Sequence, residues 1–143
     1  MADLVRFFTD DHRSCDAAWV AVETAVDAGD AAAVEARFVA FDRQLRRHLD
    51  WEEGVLFPAF EEATGMTGGP TEVMRGEHTR MRAMLDQMAA ARDDGDLDLL
   101  VDHGDTLLML IQQHNSKEEQ ILYPMAGRVL GGLWEQLRAE LVS

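Results

Sequence analysis

The sequence contains a single cysteine, Cys15, so no intrachain disulfide can form, which fits a reducing compartment. It contains only three prolines, while Ala, Leu, Glu, Arg and Met are frequent, a balance that favours helix. No run of 18 apolar residues occurs, so no helical membrane span is expected. Basic residues are scarce: 13 Lys and Arg stand against 27 Asp and Glu, for a net charge of −14. A surface this acidic repels phosphate backbones and anionic lipid, which argues against nucleic-acid and membrane partners. The opening MADLVRFFTDDHRS lacks a basic segment followed by an apolar run, so no signal peptide is expected and the expected location is the cytoplasm.

What is present is enough for one core. The 143 residues suit a single domain, and an apolar content of 47% excludes a disordered chain. Three breaks divide it: Gly29-Asp30, the stretch from Thr64 to Pro70, and Asp93-Asp94-Gly95-Asp96. Between them lie four segments, about 3–28, 31–63, 71–92 and 97–127, and a short fifth, about 132–141, follows Gly131-Gly132.

Each long segment carries an inward stripe at steps of three or four residues. The first reads Leu4, Phe8, His12, Cys15, Trp19, Val22, Val26, and the second Val34, Phe38, Phe41, Leu45, His48, Glu52, Val55. The third reads Met74, His78, Met81, Leu85, Met88, and the fourth Leu100, His103, Leu107, Leu110, His114, Glu118, Ile121. The expected fold is all-α, an up-down-up-down four-helix bundle with a short C-terminal helix. The sequence also repeats at an offset of 66 residues. His12 falls on His78, His48 on His114, Glu52-Glu53 on Glu118-Glu119, and Leu56-Phe57-Pro58 on Leu122-Tyr123-Pro124. The whole chain, 1–143, therefore reads as one domain built from duplicated hairpins, about 3–63 and 71–127.

Four of the five histidines stand in apolar stripes beside Glu52 and Glu118. Two buried glutamates without partners would cost several kcal/mol each, roughly, and a metal pair would neutralise both. His48 and Glu52, like His114 and Glu118, are four residues apart and so share one helix face. His12 precedes Gly29 by 17 residues and His48 follows Asp30 by 18; His78 and His114 bear the same relation to Gly95 and Asp96. At about 1.5 Å per residue, all four histidines lie in one slab of the bundle, nearer the end with the N-terminus and the 64–70 loop. The expected metal ligands are His12, His48, Glu52, His78, His114 and Glu118.

With these residues the chain resembles the hemerythrin-like (HHE cation-binding) family from Asp11-His12 to Tyr123-Pro124, including Glu52 to Pro58 and Glu118 to Pro124. The resemblance implies two iron ions with an oxo or hydroxo bridge, with manganese or zinc as lesser alternatives, and a small ligand: O2, peroxide or nitric oxide. The oxygen-carrying members place two histidines four apart on the third helix. Here Met74 and Arg82 flank His78 at that spacing, so the pattern resembles the bacterial H, HxxxE, H, HxxxE subgroup. In that subgroup peroxide or nitric-oxide chemistry is the more usual suggestion. Counting donors leaves one open position on each iron of a symmetric centre. The expectation is a catalase-like reaction with peroxide, with reversible O2 or nitric-oxide binding for sensing or storage as an alternative. A sensor would need a separate protein partner. A metal-dependent structural or partner-binding bundle is a third reading.

The other candidates are set aside. His103 lies eleven residues from His114, about 16 Å along the axis, too far for the same metals. Cys15, Phe8, Trp19, Phe38, Phe41 and Trp51 read as packing, and Phe8 also as the lining of a gas path. Tyr123 reads as the counterpart of Phe57 rather than as a radical or ligand tyrosine. Glu53 and Glu119 point about 100° from their glutamate neighbours and read as solvated or inter-helix ion pairs rather than as supports for ligand histidines. Trp134 is expected to anchor the C-terminal segment over the site end.

Overall fold

Two hairpins are closed by the same device. In the computed structural model, which describes residues 2–142, α1 (Ala2–Asp27) turns into α2 (Ala31–Trp51) through Gly29. In the second hairpin, α4 (Pro70–Asp93) turns into α5 (Leu97–Lys117) through Gly95. Both glycines take positive φ, +67° and +71°, a conformation that disfavours a side chain. The next residue caps the following helix: Asp30 accepts from the Ala33 N–H and Asp96 from the Leu99 N–H, each at 3.1 Å. The Asp30 and Asp96 N–H groups reach back to the Ala25 and Ala91 carbonyls, closing the preceding helix. These short turns make α1 antiparallel to α2, and α4 to α5.

Each return helix carries one π turn, Glu52–Leu56 after α2 and Glu118–Leu122 after α5. The helical path then continues as α3 (Phe57–Thr64) and α6 (Tyr123–Leu130). Pro58 and Pro124 are the cause: each lacks an N–H and its ring crowds the carbonyl four residues earlier. The ladder relaxes by one residue, so the Phe57 and Tyr123 N–H groups bond the Glu52 and Glu118 carbonyls five residues back. The inward face moves with it. Val55 and Ile121, expected inside, lie partly and mostly outside, Ile121 at 54% exposure. Leu56, Phe57, Leu122 and Tyr123 are buried instead.

A second departure occurs on α5. His103 and Leu110, expected on the inward stripe, are only partly buried, and Gly104 and Ile111 take the inward places. The reason is Trp19, whose six-membered ring lies against Gly104: a Cβ there would stand 2.1 Å from the ring. The absence of a side chain at Gly104 lets α1 and α5 approach at the level of Trp19.

The core has two parts with the polar slab between them. Toward the tight turns lie Trp19, Phe41, Leu45, Leu49, Met81, Leu85, Leu107 and Ile111. Toward the other end lie Leu4, Phe8, Leu56, Phe57, Phe60, Met74, Leu122 and Leu130. The chain leaves α6 through a 3₁₀ turn, Gly131–Leu133, into α7 (Trp134–Val142). Trp134 and Leu141 are buried in the second cluster, and the Trp134 ring sits 5.4 Å from Phe7 and 6.2 Å from Phe8. The C-terminal helix thus covers the end expected from the sequence. No strand occurs among the described residues, and none of the described helices is long and apolar enough to cross a membrane.

Candidate metal centre

All six expected ligands converge and all are buried: His12 from α1, His48 and Glu52 at the end of α2, His78 from α4, and His114 and Glu118 at the end of α5. Glu52 and Glu118 are fully inaccessible. The side chains form two groups of four potential ligands. One is His12, His48, Glu52 and Glu118; the other is His78, His114 and the same two glutamates. Within each group the ligand atoms lie within 4.8 Å of one another.

The glutamates divide their oxygens between the groups. Glu118 Oε1 lies 3.0 Å from His12 Nε2, and its Oε2 lies 3.1 Å from His114 Nε2. Glu52 Oε1 lies 3.0 Å from His78 Nε2, and its Oε2 lies 3.6 Å from His48 Nε2. Each carboxylate thus presents one oxygen to each group, the geometry of a pair of bridging ligands.

Every inward Nε2 is fixed by what its Nδ1 does outside. The Nδ1 atoms of His12, His48 and His78 lie 2.7 Å from carboxylate oxygens of Glu119, Asp11 and Glu53, and His114 Nδ1 lies 2.8 Å from Glu77. A proton on Nδ1 donated to a carboxylate leaves the Nε2 lone pair aimed inward, the tautomer a metal-binding imidazole needs. The four acids are tied in turn to cations: Glu119 to Arg13, Glu53 to Arg82, Glu77 to Lys117, and Asp11 more loosely to Arg47. These partners hold Glu77 and Glu119 below the usual carboxylate range against the opposing effect of burial.

The arrangement calls for positive charge in its centre. Burial disfavours a charged His48, yet the Glu52 carboxylate and the Asp11 hydrogen bond outweigh it and raise His48 to about 10. His114 is raised to about 11 against burial by Glu118 and Glu52. Burial also opposes ionisation of Glu52, but the surrounding histidines, His48 first, pull it well below its ordinary value. Without metal the site therefore takes up protons where a cation would sit. With the Nε2 atoms bare, as in the tautomer above, Glu52 Oε1 and Glu118 Oε2 find no hydrogen-bond donor. Two inaccessible carboxylate oxygens facing two imidazole nitrogens, with no donor for either oxygen, fit a divalent or trivalent cation.

A hemerythrin HHE cation-binding model matches residues 3–126. The chain belongs to that family. No curated protein and no solved structure matches it significantly. This is a hemerythrin-like domain with buried histidine and glutamate groups that could hold a metal.

The hemerythrin-like centre contains residues that the sequence reading passed over. Tyr123, read as the counterpart of Phe57 in preference to a ligand tyrosine, points its hydroxyl into the site, 2.5 Å from Glu52 Oε2 and 2.9 Å from Glu118 Oε1. Five residues of ordinary helix would turn Tyr123 about 140° from Glu118; the π turn brings it back over the same face. The signal was present as the chain's only tyrosine at the one repeat position where phenylalanine becomes polar. Glu53 and Glu119 do form inter-helix ion pairs, but they also hold ligand histidines, so the preference given to the ion-pair role alone needs correcting. Asp11 and Glu77 were missed, although the 66-residue offset pairs them too, each just before a histidine. His103 belongs to neither group. Cys15 is a core residue, its thiol pushed to about 12 chiefly by burial. Phe8 packs 5.5 Å from Tyr123 and 6.0 Å from His48.

Proposed function

We propose that the chain is a non-haem di-iron protein that reacts with a small oxidant, peroxide first. The observation that carries this reading is the pair of four-donor groups sharing both glutamates. His12 and His48 would hold one iron, His78 and His114 the other, and Glu52 and Glu118 would bridge them beside an oxo or hydroxo bridge. Mixed imidazole and carboxylate donors suit iron, with manganese and zinc using the same set less aptly. When bound, the pair supplies Lewis acidity and redox change toward the oxidant.

The protein's part is orientation, dryness and proton placement. Asp11, Glu53, Glu77 and Glu119 hold the four Nδ1 protons and so aim the Nε2 lone pairs. The two core clusters above and below exclude bulk water. In the metal-free protein the Tyr123 hydroxyl donates a hydrogen bond to Glu52 Oε2. Lys117, half exposed, reaches Glu77 and through it His114 Nδ1, a charged line from the surface to the site.

Two positions bear on the choice of chemistry. Met74 is buried in the core, and Arg82 is bound to Asp50 and Glu53, so neither supplies the extra histidine of the oxygen carriers. That supports the peroxide-handling subgroup. A second reading, reversible binding of O2 or nitric oxide, is favoured by the Tyr123 hydroxyl, which makes the two groups unequal. Oxygen evolution from peroxide by the iron-loaded protein, beside Glu118→Ala, decides between them. Turnover that is lost in the variant supports the proposal. A long-lived, reversible O2 adduct of the reduced protein with no peroxide turnover overturns it in favour of the second reading.

A further inference from the structure

The inner ligands and the acids on their Nδ1 atoms are related by the 66-residue offset. Tyr123 stacks on His12 with ring centroids 5.4 Å apart and an interplanar angle of 30°. Phe57 stacks on His78 with the same separation and the same angle. The two rings therefore occupy matching places, and they differ by a single oxygen atom, Tyr123 Oη.

That oxygen lies among the ligand atoms of one group. It is 2.5 Å from Glu52 Oε2, 2.9 Å from Glu118 Oε1, 3.0 Å from His12 Nε2 and 3.5 Å from His48 Nε2. With His12 and His48 carrying their protons on Nδ1 alone, the tautomer metal binding requires, four acceptor atoms surround a hydroxyl that has one proton to give. Neighbouring donors on a six-coordinate ion with bonds of about 2.1 Å stand about 3.0 Å apart; Glu118 Oε1 and His12 Nε2 lie at that spacing from Tyr123 Oη, with Glu52 Oε2 closer and His48 Nε2 farther. The opposite group offers the contrast. Its carboxylate oxygens, Glu52 Oε1 and Glu118 Oε2, are the two that lack a hydrogen-bond partner, because Phe57 brings no hydroxyl to them.

We propose that Tyr123 Oη is a direct ligand of the metal ion held by His12 and His48, and that the position held by His78 and His114 is the one left open to an exogenous ligand. This rests on the reading of the site as a metal pair. As the ion binds, the phenol O–H bond breaks, the oxygen keeps the electron pair and shares it with the metal, and the proton leaves to solvent. The centre is then unsymmetrical: one ion has an additional protein donor, and the other faces the Phe57 ring.

The chain's single tyrosine makes the test unambiguous. A phenolate bound to iron(III) gives a charge-transfer band in the visible, which hydrogen bonding alone does not. The iron(III)-loaded protein should show that band, and Tyr123→Phe should lose it while keeping two irons per chain, since Phe57 shows that the plain ring packs in this setting. Azide, a small anionic probe, should bind once per chain in the parent protein. Phe57→Tyr should strengthen the band and abolish azide binding. Two irons per chain with no visible phenolate band, or a band that survives in Tyr123→Phe, overturns the ligand assignment and leaves the di-iron reading standing. Azide binding that Phe57→Tyr leaves unchanged overturns the open position. Failure to bind iron at all overturns both readings.

Discussion

Gly104→Ala tests whether the close approach of α1 and α5 sets up the site. Mid-helix, alanine is favoured over glycine by about 0.8–1.0 kcal/mol, so a surface position would gain stability. Here the new Cβ would lie 2.1, 2.3 and 3.2 Å from three carbons of the Trp19 ring, where contact begins near 3.5 Å. Trp19 cannot swing away freely: it is buried and packed 5.2 Å from Phe41. Relief of more than 1 Å has to come from displacing the indole or separating the helices. Overpacking of this kind costs about 1–3 kcal/mol, and the displacement places this case at the upper end, so a net loss of about 1–2 kcal/mol is expected after the helix gain. For a domain of this size that lowers Tm by about 2–8 °C. Trp19 is two turns from His12, so the same displacement should loosen the His12 contacts to Glu118 and Glu119 and weaken metal retention. Thermal melting and metal content of the purified variant read both effects. A variant that melts at or above the parent temperature would show that helix propensity wins and would refute the packing argument.

Three further outcomes follow. Glu77→Gln keeps the shape but weakens the hold on His114 Nδ1, and should lower metal affinity about 10–100-fold, read by competition with a chelator; unchanged affinity would deny the outer carboxylates a role in aiming the histidines. Verified removal of metal should lower the melting midpoint, because binding to the folded state stabilises it by about 2.7 kcal/mol per site at 100 times Kd; equal midpoints would count against a buried centre. In the metal-free protein, His48 and His114 are raised to about 10 and 11. Their contribution to stability is therefore fully present below about pH 6.5 and is lost as pH climbs through 10 to 11. Chemical denaturation of metal-free protein across that range should show the decline, and a flat profile would contradict the charged pairing of these histidines with Glu52 and Glu118.

The bundle and the convergence of the six candidate ligands were legible because they follow period and spacing. Four stripes at steps of three and four give four helices, and His48–Glu52 and His114–Glu118 need only the helical repeat to share a face. Gly29-Asp30 and Gly95-Asp96 mark both tight turns in letters that have a backbone meaning. The reading failed wherever the backbone left the ideal helix or one large side chain chose the register. The π turns before Pro58 and Pro124 rotated Val55 and Ile121 outward and Tyr123 inward, and a period of 3.6 carries no trace of that. The shift from His103 to Gly104 depended on an indole from another helix. Asp11, Glu53, Glu77 and Glu119 look on the sequence like surface charge, which most acidic residues of a chain this anionic are. The 66-residue repeat pairs them, but only the three-dimensional contact with the Nδ1 atoms shows what they hold.

The central claim is that six buried side chains on four helices hold two metal ions. Metal analysis of protein made in iron-replete cells tests it directly, with His114→Ala and His103→Ala prepared alongside. About two irons per chain are expected in the parent and in His103→Ala, since His103 lies outside both ligand groups, with a sharp loss in His114→Ala. A parent protein that folds without stoichiometric metal, or equal loss in the two variants, would contradict the account.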